Sequence, residues 1–434
     1  MAKMTRKIPT HIIVASTSWI SRIIISIIQI FVLKMLIEIL GTEKYSVFAI
    51  LTGLMGWFAL FDFGIGISLQ NYISEYRANN KDFKEILTIT FAIVLAVSLI
   101  CIFILYLLSP YLSSKILKLF NFLSYYEKTI LFFITGFCFL LTNIGSVVYK
   151  TLYAQDKGYI ANIVPVLGYI LSASLLFFLK KNNISNNLTY SILFFLLPNA
   201  LLPLFLFISY IKPEYLLKLD IKKVYPVLKR AGKFWLFALM AAAVLQIDYL
   251  ILSQYSVPDD IVIYNLLNKI FFFGFFVYNA LLTAIWPTFS YNISRGNIEL
   301  IYKYTKRYLF IGLLYIIFFT IIALFFIDYI KAFFLPNSDI KIPSLLVTVM
   351  GFYYLLRVWS DTFSMILQSA NILKPFIIYV PIQAVISFIS QVFLVKRYGL
   401  YGIVLGLIVS FIFTAVWILP YCSKKLIFKR LNAS

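Results

Sequence analysis

The sequence predicts an all-α polytopic membrane protein with 12 transmembrane helices in two six-helix bundles. Composition is the first reason. Hydrophobic residues make up 62% of the 434 and charged residues 13%, whereas soluble domains carry roughly 45–50% and about 25%. The mean hydropathy is +0.93. That is more apolar surface than an aqueous core could bury, so lipid is the solvent for most of it. The second reason is the recurrence of apolar windows long enough to cross a bilayer, about 20 residues each. The third is a basic loop near 211–233 that divides those windows six and six. A soluble enzyme, a disulfide-stapled secreted domain and a disordered scaffold are excluded.

The windows run 11–37, 45–70, 86–109, 129–150, 160–180, 188–211, 233–255, 261–289, 308–330, 343–369, 375–396 and 399–421. Residues 1–10 carry Lys3, Arg6 and Lys7, but the first window outruns the apolar core of a signal peptide, so no cleaved leader is expected. Alternate loops differ in basic content. The N-terminus, 71–85, 150–159, 212–233, 290–307, 370–374 and the C-terminus hold 24 Lys and Arg, and the opposite set holds 10. Basic residues are retained on the cytoplasmic side, so both termini are expected there. The same bias accounts for the net charge of +21. Its cations are dispersed over short loops rather than gathered in one arm, which argues against nucleic acid. Cys101, Cys138 and Cys422 lie far apart in or beside apolar stretches, and His11 is the one histidine. Neither a disulfide frame nor a His-based metal site is expected.

The loop places the domain boundary at 1–215 and 216–434, and faint self-similarity suggests a duplication. Tyr45 pairs with Tyr264, Gln155 with Gln368, and Lys180-Lys181 with Lys396-Arg397, at offsets of 219, 213 and 216. Six spans per half make the two repeats parallel. The all-apolar runs Ile316–Ile327 and Leu193–Ile208 are expected to face lipid.

Ionisable groups in mid-span cost about 2.5–3.5 kcal/mol on insertion scales, so each needs a reason. Span one places His11, Ser18, Arg22 and Gln29 on one face, within roughly 40° of one another at about 100° per residue. Span ten repeats the device with Tyr353, Arg357, Asp361, Ser364 and Gln368. Span eight carries Asn265, Asn268 and Lys269, span two Asp62, and span seven Gln246 and Asp248. If the halves face each other, these stripes would line a shared cavity that is not acidic on balance. Guanidinium groups grip phosphate in a bidentate way, and Asn, Gln, Ser and Tyr suit sugar hydroxyls. The plainer reading keeps several of these charges structural. Arg357 and Asp361 neutralise each other one turn apart, Asp62 staples two helices, and Lys34 pairs with Glu38 at a helix end. Trp235 and Trp286, near span ends, read as interface anchors. The Gly64/Gly66 pair reads as a bend or a close packing point. No nucleophile–base pair, metal cluster or phosphate-cradling loop stands outside the membrane, so neither catalysis nor a bound cofactor is expected.

The stretch Leu40–Ala78, with Leu40-Gly41, Tyr45, Asp62-Phe63-Gly64-Ile65-Gly66 and Ile73-Ser74-Glu75, resembles the O-antigen and capsule repeat-unit flippases of the Wzx type. These belong to the multidrug/oligosaccharidyl-lipid/polysaccharide exporter superfamily. Ala154-Gln155-Asp156-Lys157-Gly158, Tyr264-Asn265 to Lys269, Trp286-Pro287 and Tyr398-Gly399 to Gly402 follow in the family's order. The resemblance implies a V-shaped, MATE-like pair of six-helix bundles in the bacterial inner membrane. It implies a substrate, an undecaprenyl-pyrophosphate-linked oligosaccharide, moved from the cytoplasmic to the periplasmic leaflet by alternating access. Arg22, Arg357 and Lys269 would hold the pyrophosphate, with Gln29, Asn265, Asn268, Tyr353 and Gln368 beside the sugar. Asp62, Asp248 and Asp361 are the candidates for coupling to a proton or sodium gradient. O-antigen polymerase and the chain-length regulator are the partners such a protein would meet. A MATE-type cation-coupled drug antiporter is the competing function, but it would favour an acidic cavity. An O-antigen polymerase would need a large periplasmic loop bearing arginines, and the longest here, near 110–128, has none.

Overall fold

The computed structural model describes residues 10–182, 184, 187–211, 221–336, 340–370 and 372–431, and these are helical almost throughout. Helix α1 (Thr10–Gly53) has 44 residues, about 66 Å at 1.5 Å per residue, twice what one crossing needs. It kinks at Gly41, where φ 68° and ψ 174° interrupt the helical path. A side chain would resist that conformation and glycine does not, so the first two expected spans are one kinked segment. Helix α2 (Met55–Phe58), a 3₁₀ turn (Ala59–Asp62) and α3 (Ile65–Ala78) complete the second span.

The first half continues through α4 (Lys84–Ile116), α5 (Tyr125–Ala154), α6 (Gly158–Lys181) and α7 (Leu188–Tyr210). Ser124 starts α5 with a capping box, its hydroxyl accepting from the Glu127 N–H while the Glu127 carboxylate accepts from the Ser124 N–H. Such reciprocal bonds satisfy two otherwise orphaned donors. The second half contains α8 (Ile221–Leu245), α9 (Ile247–Tyr255), α10 (Pro258–Ser294), α11 (Ile298–Phe325), α12 (Ile327–Phe334), α13 (Ser344–Ser369), α14 (Lys374–Tyr398), α15 (Leu400–Phe413) and α16 (Ala415–Leu431).

Among the described residues, ten helical segments are long and apolar enough to cross a membrane. They cover eleven of the twelve expected windows, because Ser16–Asp62 contains two. The remaining window is α13, a 26-residue helix whose Arg357, Asp361 and interspersed Tyr and Ser residues lower its hydropathy. The apolar runs behave as lipid-facing helices in part. Phe318, Ile321, Ile322 and Phe325 of α11 are exposed while Ile316 is buried, and in α7 Phe205 and Ile208 are exposed while Phe207 is buried.

The chain forms two compact units, Met1–Leu239 and Met240–Ser434. The division falls inside α8 rather than in the loop before it, because the start of α8 is bound to the first unit. Ser68 Oγ donates to the Val227 carbonyl at 2.7 Å, and Arg230 pairs with Glu75 at 2.7 Å while its guanidinium lies over the Tyr72 ring. Counterparts at the repeat offset occupy similar places. Tyr45 and Tyr264 are both fully buried, and Lys180-Lys181 and Lys396-Arg397 end α6 and α14. Pro165 and Pro381 each lie seven residues past the start of those helices.

Candidate functional site

Two spans are broken, and an aspartate stands at each break. In the first unit the 3₁₀ turn ends at Asp62, and Phe63 (φ 50°) and Gly64 (φ 72°) are both left-handed. Positive φ is rare for a phenylalanine and is held only where the surroundings over-determine it. They do so here. The Asp62 carboxylate accepts the Gly64 N–H at 2.7 Å, and Asn143 Nδ2 donates to the Phe58 carbonyl at 2.5 Å. Gly64 is packed so closely on α8 that a Cβ would stand 2.4 Å from the Ala231 carbonyl oxygen. Lys150 of α5 lies within electrostatic reach of Asp62, and the two side chains flank Gly66. Its position in the chain had marked it as a loop cation only.

Arg22 is exposed on α1, within electrostatic reach of Tyr153. Asn162 of α6 anchors this stretch. Its Nδ2 donates to the Val14 carbonyl and to Thr17 Oγ1, both at 3.0 Å, and its Oδ1 accepts from the Tyr153 hydroxyl. Gln29 is hydrogen-bonded to Tyr169. The His11 side chain lies outside the described residues. Lys34 and Glu38 stand 4.0 Å apart, and Lys180 approaches Glu38 more closely, at 2.7 Å.

The second break, at Gln246 between α8 and α9, lies two residues before Asp248. Broken helices are tolerated at membrane depth where they are buried in protein or line a cavity, and they often mark binding sites. Asp248 is buried and accepts from the Tyr264 hydroxyl and from the Tyr249 N–H at 3.0 Å. From there the bonds run between side chains. Asn265 Nδ2 donates to the Tyr249 hydroxyl at 2.8 Å, and the Tyr354 hydroxyl to Asn268 Oδ1 at 3.2 Å. Arg357 donates to the Tyr353 hydroxyl at 3.3 Å and to Asp361 Oδ2 at 3.2 Å, with its guanidinium over the Phe275 ring. The Tyr278 and Thr362 hydroxyls are 2.6 Å apart.

The expected residues Asp248, Asn265, Asn268, Tyr353, Arg357 and Asp361 thus form one cluster in the second unit. Lys269 joins its edge, one turn after Asn265 and on the same helix face. It is half-buried and forms no ion pair with a described acid. Gln368 stands apart, about 16 Å farther along α13 than Arg357 at 1.5 Å per residue. Arg22, Gln29 and Asp62 belong to the first unit.

Sequence reasoning missed the aromatic walls. Tyr249, Tyr278, Tyr354 and Phe275 were not singled out and Tyr264 only as a repeat counterpart and motif residue, although Tyr249 beside Asp248 and Tyr354 beside Tyr353 were available signals. Trp235 was expected at a membrane interface. Its ring packs on Phe63 at 5.8 Å, where α8 closely approaches Gly64.

Several ion pairs outside this cluster are tighter than the one within it, although Lys34–Glu38 is looser at 4.0 Å. Arg77–Asp156, Arg230–Glu75 and Lys180–Glu38 all close to 2.7 Å, the usual length for a charge-assisted bond. The Arg357–Asp361 contact is longer, and a guanidinium carries five donors in a rigid fork. Arg357 therefore has donors left for an anion, in an aromatic setting that weakens competition from water.

The MatE family model matches residues 236–394. The chain is 37% identical over 422 residues to a Yersinia pseudotuberculosis protein named as an O-antigen export protein, covering 96% of each chain. Its fold is similar to an inward-facing multidrug resistance MATE transporter of the MOP superfamily, with a TM-score of 0.75, 13% identity, and 94% and 96% of the two chains covered. It is also similar to the lipid II flippase MurJ in an inward closed conformation, with a TM-score of 0.71, 17% identity, and 97% and 90% covered.

Proposed function

This chain belongs to the O-antigen export family of the multidrug/oligosaccharidyl-lipid/polysaccharide exporter superfamily, and we propose that it is a lipid-linked oligosaccharide flippase. Its substrate is an undecaprenyl-pyrophosphate-linked O-antigen or capsule unit, carried from the cytoplasmic to the periplasmic leaflet of a bacterial inner membrane by alternating access. The observation that carries this reading is the cluster around Arg357. It offers a guanidinium with unused donors, the Lys269 ammonium, and a wall of tyrosine hydroxyls and asparagine amides. Phosphate oxygens suit the two cations and sugar hydroxyls suit the neutral donors and acceptors.

Apart from the Tyr249 N–H that Asp248 accepts, the bonds in this cluster join side chains to one another, so a ligand entering beside Arg357 exchanges them without disturbing a backbone. Arg22 of the first unit is a further candidate cation, with Gln29 two turns along the same face of α1. Asp62 and Asp248, each at a helix break, and Asp361, paired to Arg357, are our candidates for coupling to a proton or sodium gradient. Both termini lie in the cytoplasm on this reading, and the polymerase and chain-length regulator act on the product. The protein is a transporter and not an enzyme, in keeping with the name of its Yersinia relative.

The test is the sidedness of the lipid-linked sugars in cells with and without the protein, read with a label confined to the periplasmic face. Deletion should trap the sugars facing the cytoplasm, and re-expression should release them. Sugars that still reach the periplasm while only polymer length changes would favour a polymerase. Unchanged sugars with accumulating cationic drugs would favour an antiporter, a function the shared fold equally accommodates.

A further inference from the structure

Tyr153, at the end of α5, is pinned in place and yet left open. Its hydroxyl donates to Oδ1 of the buried Asn162, whose Nδ2 donates to the Val14 carbonyl and to Thr17 Oγ1 at 3.0 Å each. Its ring lies against Gly158, where a Cβ would stand 2.5 Å from the ring carbon Cδ1. The turn that follows is fixed as well, because Arg77 donates to the Ala154 carbonyl and closes on Asp156 at 2.7 Å. Even so, Tyr153 remains 36% exposed, whereas its counterpart at the repeat offset of 213, Ile366, is 2% exposed. Packing accounts for the residue in the second unit and does not account for an ordered, open aromatic ring in the first. Arg22, within electrostatic reach of Tyr153, is exposed too. A guanidinium open to its surroundings at this depth faces water rather than hydrocarbon, so the space beside the ring admits a polar ligand. Thr17, which shares Asn162 with Tyr153, precedes Arg22 by five residues, about 7.5 Å along α1 at 1.5 Å per residue. The face of a tyrosine ring carries the negative part of its quadrupole, and the C–H face of a pyranose is the complementary surface. A guanidinium takes a phosphate. A ring and a cation at this separation fit a sugar joined directly to phosphate.

We propose that Tyr153 is the platform on which the first sugar of the lipid-linked substrate stacks, with Arg22 on the adjoining phosphate and Asn162 as the positioning residue that fixes the ring. The assignment rests on the flippase reading for the identity of the ligand. It places the sugar nearer the start of α1 than the phosphate. On the proposed topology that is the cytoplasmic end, the side from which the substrate enters. Stacking reads an open C–H face rather than one pattern of hydroxyls, so the subsite accepts more than one first sugar.

The test uses the full-length protein in nanodiscs of phosphatidylcholine and two probes of equal charge, farnesyl methyl pyrophosphate and farnesyl N-acetylglucosaminyl pyrophosphate. The quantity read is the ratio of their dissociation constants, in which the contributions of lipid and phosphate cancel. The parent should prefer the sugar probe by about tenfold, the scale of one aromatic contact. Tyr153→Phe keeps the ring and should keep that preference, although it loses the bond to Asn162. Tyr153→Leu loses the ring as well and should bind the two probes almost equally. Arg22→Gln should weaken both probes alike and leave the preference intact. Both tyrosine substitutions remove the hydroxyl, so a tyrosine needed only for its bond to Asn162 would make them behave the same. A parent without sugar preference, a Tyr153→Phe variant that loses as much as Tyr153→Leu, or a Tyr153→Leu variant that weakens both probes to the same degree would overturn the proposal. Tyr153→Met, unbranched and able to fill the same space, gives the same reading should Tyr153→Leu fail to fold. Binding needs no turnover, so the two readings fail separately. A sugar preference carried by Tyr153 in a protein that moves no oligosaccharide keeps the site and removes the flippase. Oligosaccharide movement without that preference does the reverse.

Discussion

Around their candidate residues, the two units use intramembrane polar groups in different ways. In the first, the bonds around the helix break hold backbone, although near Arg22 Asn162 also bonds the Tyr153 and Thr17 side chains. Asp62 caps Gly64, Asn143 satisfies the Phe58 carbonyl, Ser68 reaches Val227 and Asn162 reaches Val14. In the second, side chains hold one another, through Tyr264–Asp248, Asn265–Tyr249, Tyr354–Asn268 and Arg357 with Tyr353 and Asp361. The difference separates two uses of polarity in lipid. A backbone group freed by a broken helix has no water to turn to, so its partner is part of the fold. A network among side chains can trade one partner for another, which is what a transported ligand requires.

The comparison is most easily broken at Gly64. Gly64→Ala places a methyl group 2.4 Å from the Ala231 carbonyl oxygen, at a residue whose φ is 72°. Backbone strain and overpacking each cost about 1–3 kcal/mol. Little folded protein should be recovered, as read by the monodisperse fraction after extraction. Normal yield and melting would mean that the α3–α8 contact is not a fixed part of the first unit.

Arg357→Ala should behave differently. Protein should still reach the membrane, melting should fall because Asp361 is left without its partner, and transport should fall by about a hundredfold, the order expected when a charge contact of about 3 kcal/mol is lost. Arg22→Ala should fall less, by about tenfold, because Arg22 is exposed and solvent screens what it contributes. Periplasmic labelling of lipid-linked sugars measures both. Full activity in the two single variants at normal protein level would remove the cationic site from the mechanism.

These contrasts were only partly legible in the sequence. The spans were, because hydropathy sums over twenty residues and tolerates a single misread position. Even α13, whose hydropathy Arg357, Asp361 and Gln368 lower, was read as the apolar window 343–369. The polar residues of spans seven, eight and ten were also legible, since lipid makes each of them costly enough to need a partner. Their partners were harder to see. A tyrosine is apolar along its ring and polar at its tip, so Tyr249 and Tyr354 were not singled out. Lys150 was assigned to a loop, yet its long stem lets its charge act on Asp62 from the end of α5. The break at Asp62-Phe63-Gly64 was half visible, because glycine announces a bend whereas a left-handed Phe63 has no sequence signature. The packing of Trp235 on Phe63 was not legible either, because it follows from the approach of α8 to Gly64.

The smallest expected effect sharpens the comparison from its other side. Lys180 and Glu38 close to 2.7 Å, a shorter contact than Arg357–Asp361 at 3.2 Å, so distance alone would rank the Lys180 pair as the more important. Exposure reverses that order. The Lys180 side chain is 48% exposed and that of Arg357 18%, and solvent-exposed pairs contribute about 0.2–1 kcal/mol. Lys34, already 4.0 Å from Glu38, can take up the carboxylate when Lys180 is removed. Lys180→Ala should therefore shift melting by no more than a degree or two and leave transport unchanged, in the same assays that register Arg357→Ala. A large loss of transport in Lys180→Ala would mean that the end of α6 is part of the moving machinery, and that ion pairs in the first unit do more than hold its helices.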